Sequence, residues 1–217
     1  MFTILRIDAH ATADRMPTEY AALAASGRTD VVLKQADAET PEQLVAAAQE
    51  ADVLLTDCAM LTGAVLQQLP RCRAIIRYGV GYDTVDVATA SKCGIAVVNV
   101  PDFCNEEVSN HVMMFLLAAA KKLKPLDALV RQGQWAQAKA MQRPMGSIHG
   151  ETLGIIGCGN LGRSVAVKAH AFGMPVIGYS PHTPQPLLNA AGIRAVGYQD
   201  QLQTAYYFSV NTILNPR

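Results

Sequence analysis

The stretch that decides the fold of this chain reads LGIIGCGNLG over residues 153–162 and continues to VIGYS at residues 176–180. An apolar strand enters a glycine turn and a helix, and a second apolar strand follows. The glycines have separate roles: Gly157 makes the tight turn, Gly159 lets the backbone approach a pyrophosphate, and Gly162 lets helix and strand pack closely. This context predicts a dinucleotide-binding turn, and the alternative is a turn that only packs a strand on a helix.

The chain after this turn is short. A complete doubly wound dinucleotide domain has two βαβαβ halves, and residues 163–217 leave room for about one of them. We therefore expect the half that holds the adenosine, with the nicotinamide half outside these residues.

Composition narrows the class of protein. Half of the residues are hydrophobic, and 18 basic residues balance 18 acidic ones, so no nucleic-acid partner is expected. The five cysteines form no CxxC pair and no cluster with histidine, which indicates reduced thiols in a cytoplasmic protein and no metal site. The most apolar run, residues 112–120, is too short to span a membrane and predicts a helix buried on most sides.

The pattern along the chain predicts two α/β domains. Residues 1–103 alternate strand-like and helical segments, which indicates a flavodoxin-like parallel sheet covered by helices on both faces. Residues 104–217 would form a crossover helix, expected over 106–123, and the first half of a Rossmann domain. A second helix is expected over 125–131, and residues 132–150 read as irregular because of their glycines and proline. Thr40 is expected to cap a helix, and Gly94 to end one.

Together these segments resemble the D-isomer-specific 2-hydroxyacid dehydrogenases, the family that includes phosphoglycerate dehydrogenases and the C-terminal-binding corepressors. Four stretches carry the resemblance: RYGVGYDTVD at 77–86, VNVP with NEEV at 98–108, the glycine turn with its second strand at 152–180, and FSVNTILNP at 208–216. The chain reaches about two-thirds of the way through a typical member, so it resembles a C-terminally truncated one.

The resemblance assigns a substrate loop but no catalytic residue. In the family, backbone N–H groups of the glycine loop hold the substrate carboxylate, which implies Val80 and Gly81 here, with Arg77 as a charged contact. The alternative is that Arg77 pairs with an internal carboxylate such as Asp83. The family's catalytic arginine, glutamate and histidine would all follow residue 217. We therefore expect no turnover from these residues alone.

The resemblance also implies a cofactor site and a homodimer. The cofactor would contact Gly157, Gly159, Asn160, Leu161, Gly162, Tyr179, Ser180, Thr212 and Ile213. NAD is favoured, because residues 181–184 contain no arginine to hold the 2′-phosphate of NADP. NADP remains an alternative, since Ser180 replaces the usual acidic residue and carries no charge to repel that phosphate. Family members commonly dimerise through the cofactor domain.

The function implied is an NAD(P)-dependent oxidoreductase acting on the CH–OH group of small 2-hydroxy acids, or reducing the corresponding 2-keto acids. Two alternatives stay open at this point. One is an NAD(H)-sensing, partner-binding protein of the corepressor type, and the other is a fragment without function.

Overall fold

The computed structural model describes residues 1–8 and 16–212, which belong to two compact units, Met1–Phe103 and Cys104–Arg217. In the first unit strands and helices alternate: β1 (Phe2–Arg6), α1 (Pro17–Ala25), β2 (Val31–Gln35), α2 (Pro41–Ala48), β3 (Val53–Thr56), α3 (Gly63–Leu66), β4 (Ala74–Arg77), α4 (Val87–Lys92) and β5 (Ala96–Val98).

The first sheet is parallel throughout, with the strand order β2-β1-β3-β4-β5. This is the flavodoxin-like doubly wound order, and it confirms the fold class expected for these residues. Its main core joins one face of the strands to α2, α3 and α4, with Leu54, Leu66 and Ile75 fully or almost fully buried.

Local sequence explains how the helices of this unit begin and end. Pro41 opens α2, and the Thr40 hydroxyl accepts the N–H of Gln43 at 3.3 Å in a capping box. Gly94 follows α4 with φ +73°, in the left-handed region that glycine adopts without strain. Both expected caps are confirmed.

The second unit begins with α5 (Asn105–Ala120), α6 (Leu123–Arg131) and α7 (Trp135–Met141). It continues with β6 (Leu153–Ile156), α8 (Asn160–Ala171), β7 (Val176–Tyr179), α9 (Gln185–Ala190), β8 (Arg194–Ala195), α10 (Tyr198–Thr204) and β9 (Tyr207–Val210). Its parallel sheet has the order β8-β7-β6-β9. The chain moves outward from β6 to β8 and then returns to the other side of β6. The crevice at the carboxyl ends of β6 and β9 is therefore the place where such sheets bind ligands.

Two expectations for residues 104–150 were wrong, and a third is not tested by a single chain. The helix expected over 106–123 ends at Ala120, because Lys122 adopts a left-handed conformation with φ +51° before α6 begins. The region expected to be irregular contains α7. The run over 112–120, expected to be buried on most sides, for example between two domains or at a subunit interface, is buried on one face in the single chain, and Phe115 is 63% exposed. Its burial in an assembly stays a prediction.

Across the described residues, no helix combines the length and the apolar character needed to cross a membrane.

Candidate functional site

The glycine turn lies at the carboxyl end of β6 and leads directly into α8. Gly157 has φ +87°, and a Cβ placed on it would lie 2.6 Å from the carbonyl oxygen of Asn211. Its N–H donates to the carbonyl oxygen of Tyr179 at 3.0 Å. The turn is thereby joined to the ends of both neighbouring strands, β7 and β9, and only glycine fits at its first position.

The other two glycines of the turn meet different surroundings. A Cβ on Gly162 would lie 2.3 Å from the carbonyl oxygen of Gly157, so glycine here permits the close packing of α8 on the turn. A Cβ on Gly159 would meet no atom within 4 Å, so this position faces open space. Open space beside the first turn of a helix fits a pyrophosphate, because the helix N-terminus offers N–H groups and a positive dipole end.

The residue between the first two glycines is structural. Cys158 is buried, and burial raises the pKa of its thiol to about 11. The thiol therefore stays neutral at physiological pH and fills space beneath the turn.

The predicted adenosine contacts gather at the same edge of the sheet. Ser180 follows β7, and its hydroxyl lies 2.7 Å from the hydroxyl of Thr183, which donates to the carbonyl oxygen of Cys158 at 3.3 Å. The ring of Tyr179 meets the ring of Tyr198 edge to face, with 5.4 Å between their centroids.

Two further predicted contacts follow β9. The backbone nitrogen of Thr212 would lie 3.0 Å from a Cβ on Gly157, so Thr212 belongs to the same cluster. Ile213 lies outside the described residues.

Arg163 is a residue of this site that sequence reasoning missed. It stands in the first turn of α8, and its Nη1 donates to the carbonyl oxygen of Cys158 at 3.1 Å. Its Nη2 donates to Oδ1 of Asn160 at 2.7 Å. Its place directly after the third glycine was the available signal, since that position is one helical turn from the glycine loop.

The predicted substrate loop lies at the carboxyl end of β4, in the first unit. The carbonyl oxygen of Gly79 accepts the N–H of Val100 at 2.9 Å, and the carbonyl oxygen of Val80 accepts Nδ2 of Asn99 at 2.8 Å. These two bonds fix the loop to the segment after β5. A Cβ on Gly81 would lie 3.0 Å from Oδ1 of Asp83, so that aspartate borders the loop.

The Arg77 guanidinium lies over the same loop. Its Nη2 is 3.5 Å from Oδ1 of Asp57, and its Nη1 donates to the carbonyl oxygen of Tyr78 at 3.3 Å. An internal carboxylate therefore does pair with Arg77, as the alternative in the sequence proposed, although the partner is Asp57 rather than Asp83. At 3.5 Å this ion pair is longer than a usual charge-assisted hydrogen bond.

A buried carboxylate orders the neighbouring loop and was also missed. Asp8 follows β1 and is 4% exposed. It accepts the Thr56 hydroxyl at 2.9 Å, together with backbone N–H groups of Asp57 and Ala59 at 3.0 and 2.7 Å. Asp8 thus holds the chain after β3 at the carboxyl edge of the first sheet. This segment includes Asp57, which pairs with Arg77.

The predicted residues therefore form two groups. The cofactor residues that the structure describes meet around the glycine turn of the second unit, and the three substrate residues meet on one loop of the first. Their contacts with ligands remain predictions.

Comparison with known proteins identifies the family. Residues 113–217 match the model of the D-isomer specific 2-hydroxyacid dehydrogenase NAD binding domain. The chain is 34% identical to a D-3-phosphoglycerate dehydrogenase of Methanocaldococcus jannaschii over 180 residues, which are 82% of this chain and 34% of that protein. It is 33% identical to a glyoxylate reductase of Korarchaeum cryptofilum over 162 residues, 74% of this chain and 48% of the relative.

Solved structures show the same fold. A D-lactate dehydrogenase from Aquifex aeolicus matches with a TM-score of 0.80 and 24% identity, over 96% of this chain and 60% of that one. A glyoxylate reductase from Paecilomyes thermophila matches with a TM-score of 0.82 and 24% identity, over 99% and 66%. The chain thus spans about one third of the length of the phosphoglycerate dehydrogenase and about half of the archaeal glyoxylate reductase. From the domain match and these likenesses, the chain belongs to the D-isomer-specific 2-hydroxyacid dehydrogenase family.

Proposed function

We propose that this chain carries the substrate loop and the adenosine half of the cofactor site of an NAD(P)-dependent D-2-hydroxyacid dehydrogenase. The glycine turn carries the proposal. A Cβ added to Gly157 or Gly162 would collide with backbone atoms, whereas a Cβ added to Gly159, at the start of α8, would meet open space. A turn that only packed strand on helix would need the first and third glycines but not the second.

Each residue of the cofactor cluster has a proposed contact. The N–H groups of Asn160 and Leu161, in the first turn of α8, would hold the pyrophosphate. The Ser180 hydroxyl would bond a hydroxyl of the adenosine ribose, while Tyr179, Thr212 and Ile213 would border the adenosine. When bound, the nicotinamide dinucleotide supplies the hydride that reduces the carbonyl carbon of a 2-keto acid.

The proposed substrate is a small 2-keto or 2-hydroxy acid. The N–H groups of Val80 and Gly81 would bind its carboxylate, and Arg77 would add a charge-assisted hydrogen bond. The bonds that Asn99 and Val100 make to this loop support the proposal, because they occupy carbonyl oxygens of the loop and not its N–H groups.

Titration with NADH tests the cofactor proposal. We expect saturable binding to the purified 217-residue chain in a calorimeter. Gly159→Ala should weaken it about tenfold or more, because a methyl group would occupy the approach of the pyrophosphate. Thermal melting of Gly159→Ala is the control, and it should show a folded variant because φ −65° at this position suits alanine. Equal NADH affinity of Gly159→Ala and the unmodified chain would contradict the proposal.

We also propose that the chain forms a homodimer in the cytoplasm. The support for a dimer is the number of large apolar side chains that the second unit exposes, among them Phe115 on α5 and Trp135 on α7, which are 63% and 66% exposed. A family whose members pair through the cofactor domain would cover such side chains with a second copy. The support for a cytoplasmic protein is that all five cysteines are free thiols.

A further inference from the structure

The first turn of α8 brings an arginine next to Thr183 and Ser180, which follow β7. Residues 181–184 contain no arginine, but Arg163 arrives there from the first turn of α8. Its Nη1 and the Thr183 hydroxyl both donate to one atom, the carbonyl oxygen of Cys158, at 3.1 and 3.3 Å. The Ser180 hydroxyl lies 2.7 Å from that of Thr183. One guanidinium and two hydroxyls therefore surround the same side of the turn.

The charge of Arg163 is not neutralised by its neighbours. Its two hydrogen-bond acceptors, a backbone carbonyl and an amide oxygen, are both neutral. By contrast, Arg77 faces Asp57, and Arg71 faces Glu50 and Asp52. Within residues 1–8 and 16–212, no carboxylate oxygen lies within salt-bridge distance of Arg163, and the stretch 176–184 contains no acidic residue. A half-buried positive charge beside two hydroxyls is a site for an anion.

We propose that this chain accepts a 2′-phosphorylated adenine dinucleotide, and that Arg163 holds the 2′-phosphate together with the hydroxyls of Ser180 and Thr183. A guanidinium presents parallel N–H donors that match phosphate oxygens, and both hydroxyls can rotate a proton toward the same group. A carboxylate at position 180 would repel the phosphate, and serine does not. This inference rests on the proposed cofactor function of the same turn and replaces the preference for NAD.

A comparison of two small nucleotides measures the contribution of the 2′-phosphate to binding. Both 2′,5′-ADP and 5′-AMP carry the adenosine and the 5′-phosphate, but only the first has a 2′-phosphate. In calorimetric titrations of the 217-residue chain, we expect 2′,5′-ADP to bind about tenfold to a hundredfold more tightly, the range of one charge-assisted phosphate contact.

Three variants test which residues cause the preference for 2′,5′-ADP over 5′-AMP. Arg163→Gln should bring the affinity for 2′,5′-ADP down to that for 5′-AMP and leave 5′-AMP binding unchanged. Ser180→Asp should also weaken 2′,5′-ADP selectively. Arg131→Gln removes a positive charge from α6 of the same unit and should keep the full preference. Circular dichroism and thermal melting of each variant confirm that it is folded before it is titrated.

The results of these titrations distinguish a failure of the 2′-phosphate inference from a failure of the proposed function. Equal binding of both nucleotides by the unmodified chain would overturn the inference alone, since the adenosine site would still be present. A loss of both affinities to the same degree in folded Arg163→Gln would also overturn it, because the guanidinium would then serve the 5′-phosphate. Binding of neither nucleotide would contradict the inference and the proposed function together.

Discussion

The three glycines of the turn differ in what a side chain would meet, and so they should differ in their effect on stability. Gly157 combines φ +87° with backbone atoms of Asn211 at 2.6 and 2.8 Å from an added Cβ. Gly159 has φ −65° and no neighbour within 4 Å of an added Cβ. The fold therefore requires glycine at the first position, and no described neighbour requires it at the second.

Alanine at each position tests this distinction. We expect Gly157→Ala to lower the free energy of unfolding by roughly 1–3 kcal/mol, because the left-handed backbone and the contact with Asn211 both resist a Cβ. Gly159→Ala should change it by less than about 1 kcal/mol, because alanine adopts φ −65° without strain. Urea unfolding of both variants and of the unmodified chain measures the difference. Similar losses at the two positions would mean that Gly159 also serves the fold.

At the scale of elements, Asp52 joins β1 to the start of β3. Its Oδ2 accepts the N–H of Thr3 at 2.7 Å, and its own N–H donates to the carbonyl oxygen of Thr3 at 2.8 Å. Nη2 of Arg71 lies 3.1 Å from the same carboxylate. The Thr3 N–H, and after it Arg71, hold the pKa of Asp52 below its usual range, although burial opposes them. The folded chain therefore favours the carboxylate more strongly than the unfolded chain does.

The sign of the pH dependence follows from this lowered pKa. The contribution of Asp52 to stability is complete above the ordinary aspartate pKa of about 4, and it is lost as the pH falls toward the lowered value. Asp52→Asn should therefore reduce stability at neutral pH and flatten its decline between about pH 5 and pH 3. Urea midpoints across this range measure the slope. The exposed Asp200→Asn controls for the loss of one charge, and an unchanged slope in Asp52→Asn would contradict the prediction.

The elements that could be predicted from sequence are those whose pattern is local. Both sheets can be predicted from apolar runs that alternate with helical segments. The glycine turn can be recognised because its strand end and its three glycines lie within ten consecutive residues. The sequence does not reveal α7, because Gly133 and Pro144 mark breaks in the chain and the alanine-rich segment between them is short. Gly133 with φ +73° precedes this helix, so the breaker marks a boundary and not an irregular region.

The parts of the site that could not be predicted depend on contacts between distant segments. Asp8 binds N–H groups that lie about 50 residues away in the chain, and no local pattern marks such a pair. Arg163 and Thr183 meet at the carbonyl oxygen of Cys158 only because β6 and β7 are adjacent and parallel. A search for an arginine in the residues after Ser180 could not have found this one.

At the scale of the whole molecule, the apolar residues that remain exposed are informative. Scattered exposed apolar side chains are ordinary, but α5 to α7 carry several large ones in a short stretch of sequence. They are Met114, Phe115, Leu123, Val130, Trp135 and Met141. Among the described residues, no residue of α6 is buried, and its Leu123 and Val130 side chains are exposed. A self-complementary face on a second copy would cover these side chains.

The exposed apolar side chains of α5 to α7 predict a dimer that a charge on α5 should disrupt. In size-exclusion chromatography with light scattering, the chain of 23.2 kDa should elute at about twice that mass. Phe115→Glu should shift it to the monomer, because a buried, unpaired carboxylate at an interface costs several kcal/mol. Tyr20→Glu, at a half-exposed tyrosine on α1 of the other unit, should leave the dimer intact. A monomeric unmodified chain would contradict the proposed interface, and so would a Phe115→Glu variant that remains dimeric, since the dimer would then form through another surface.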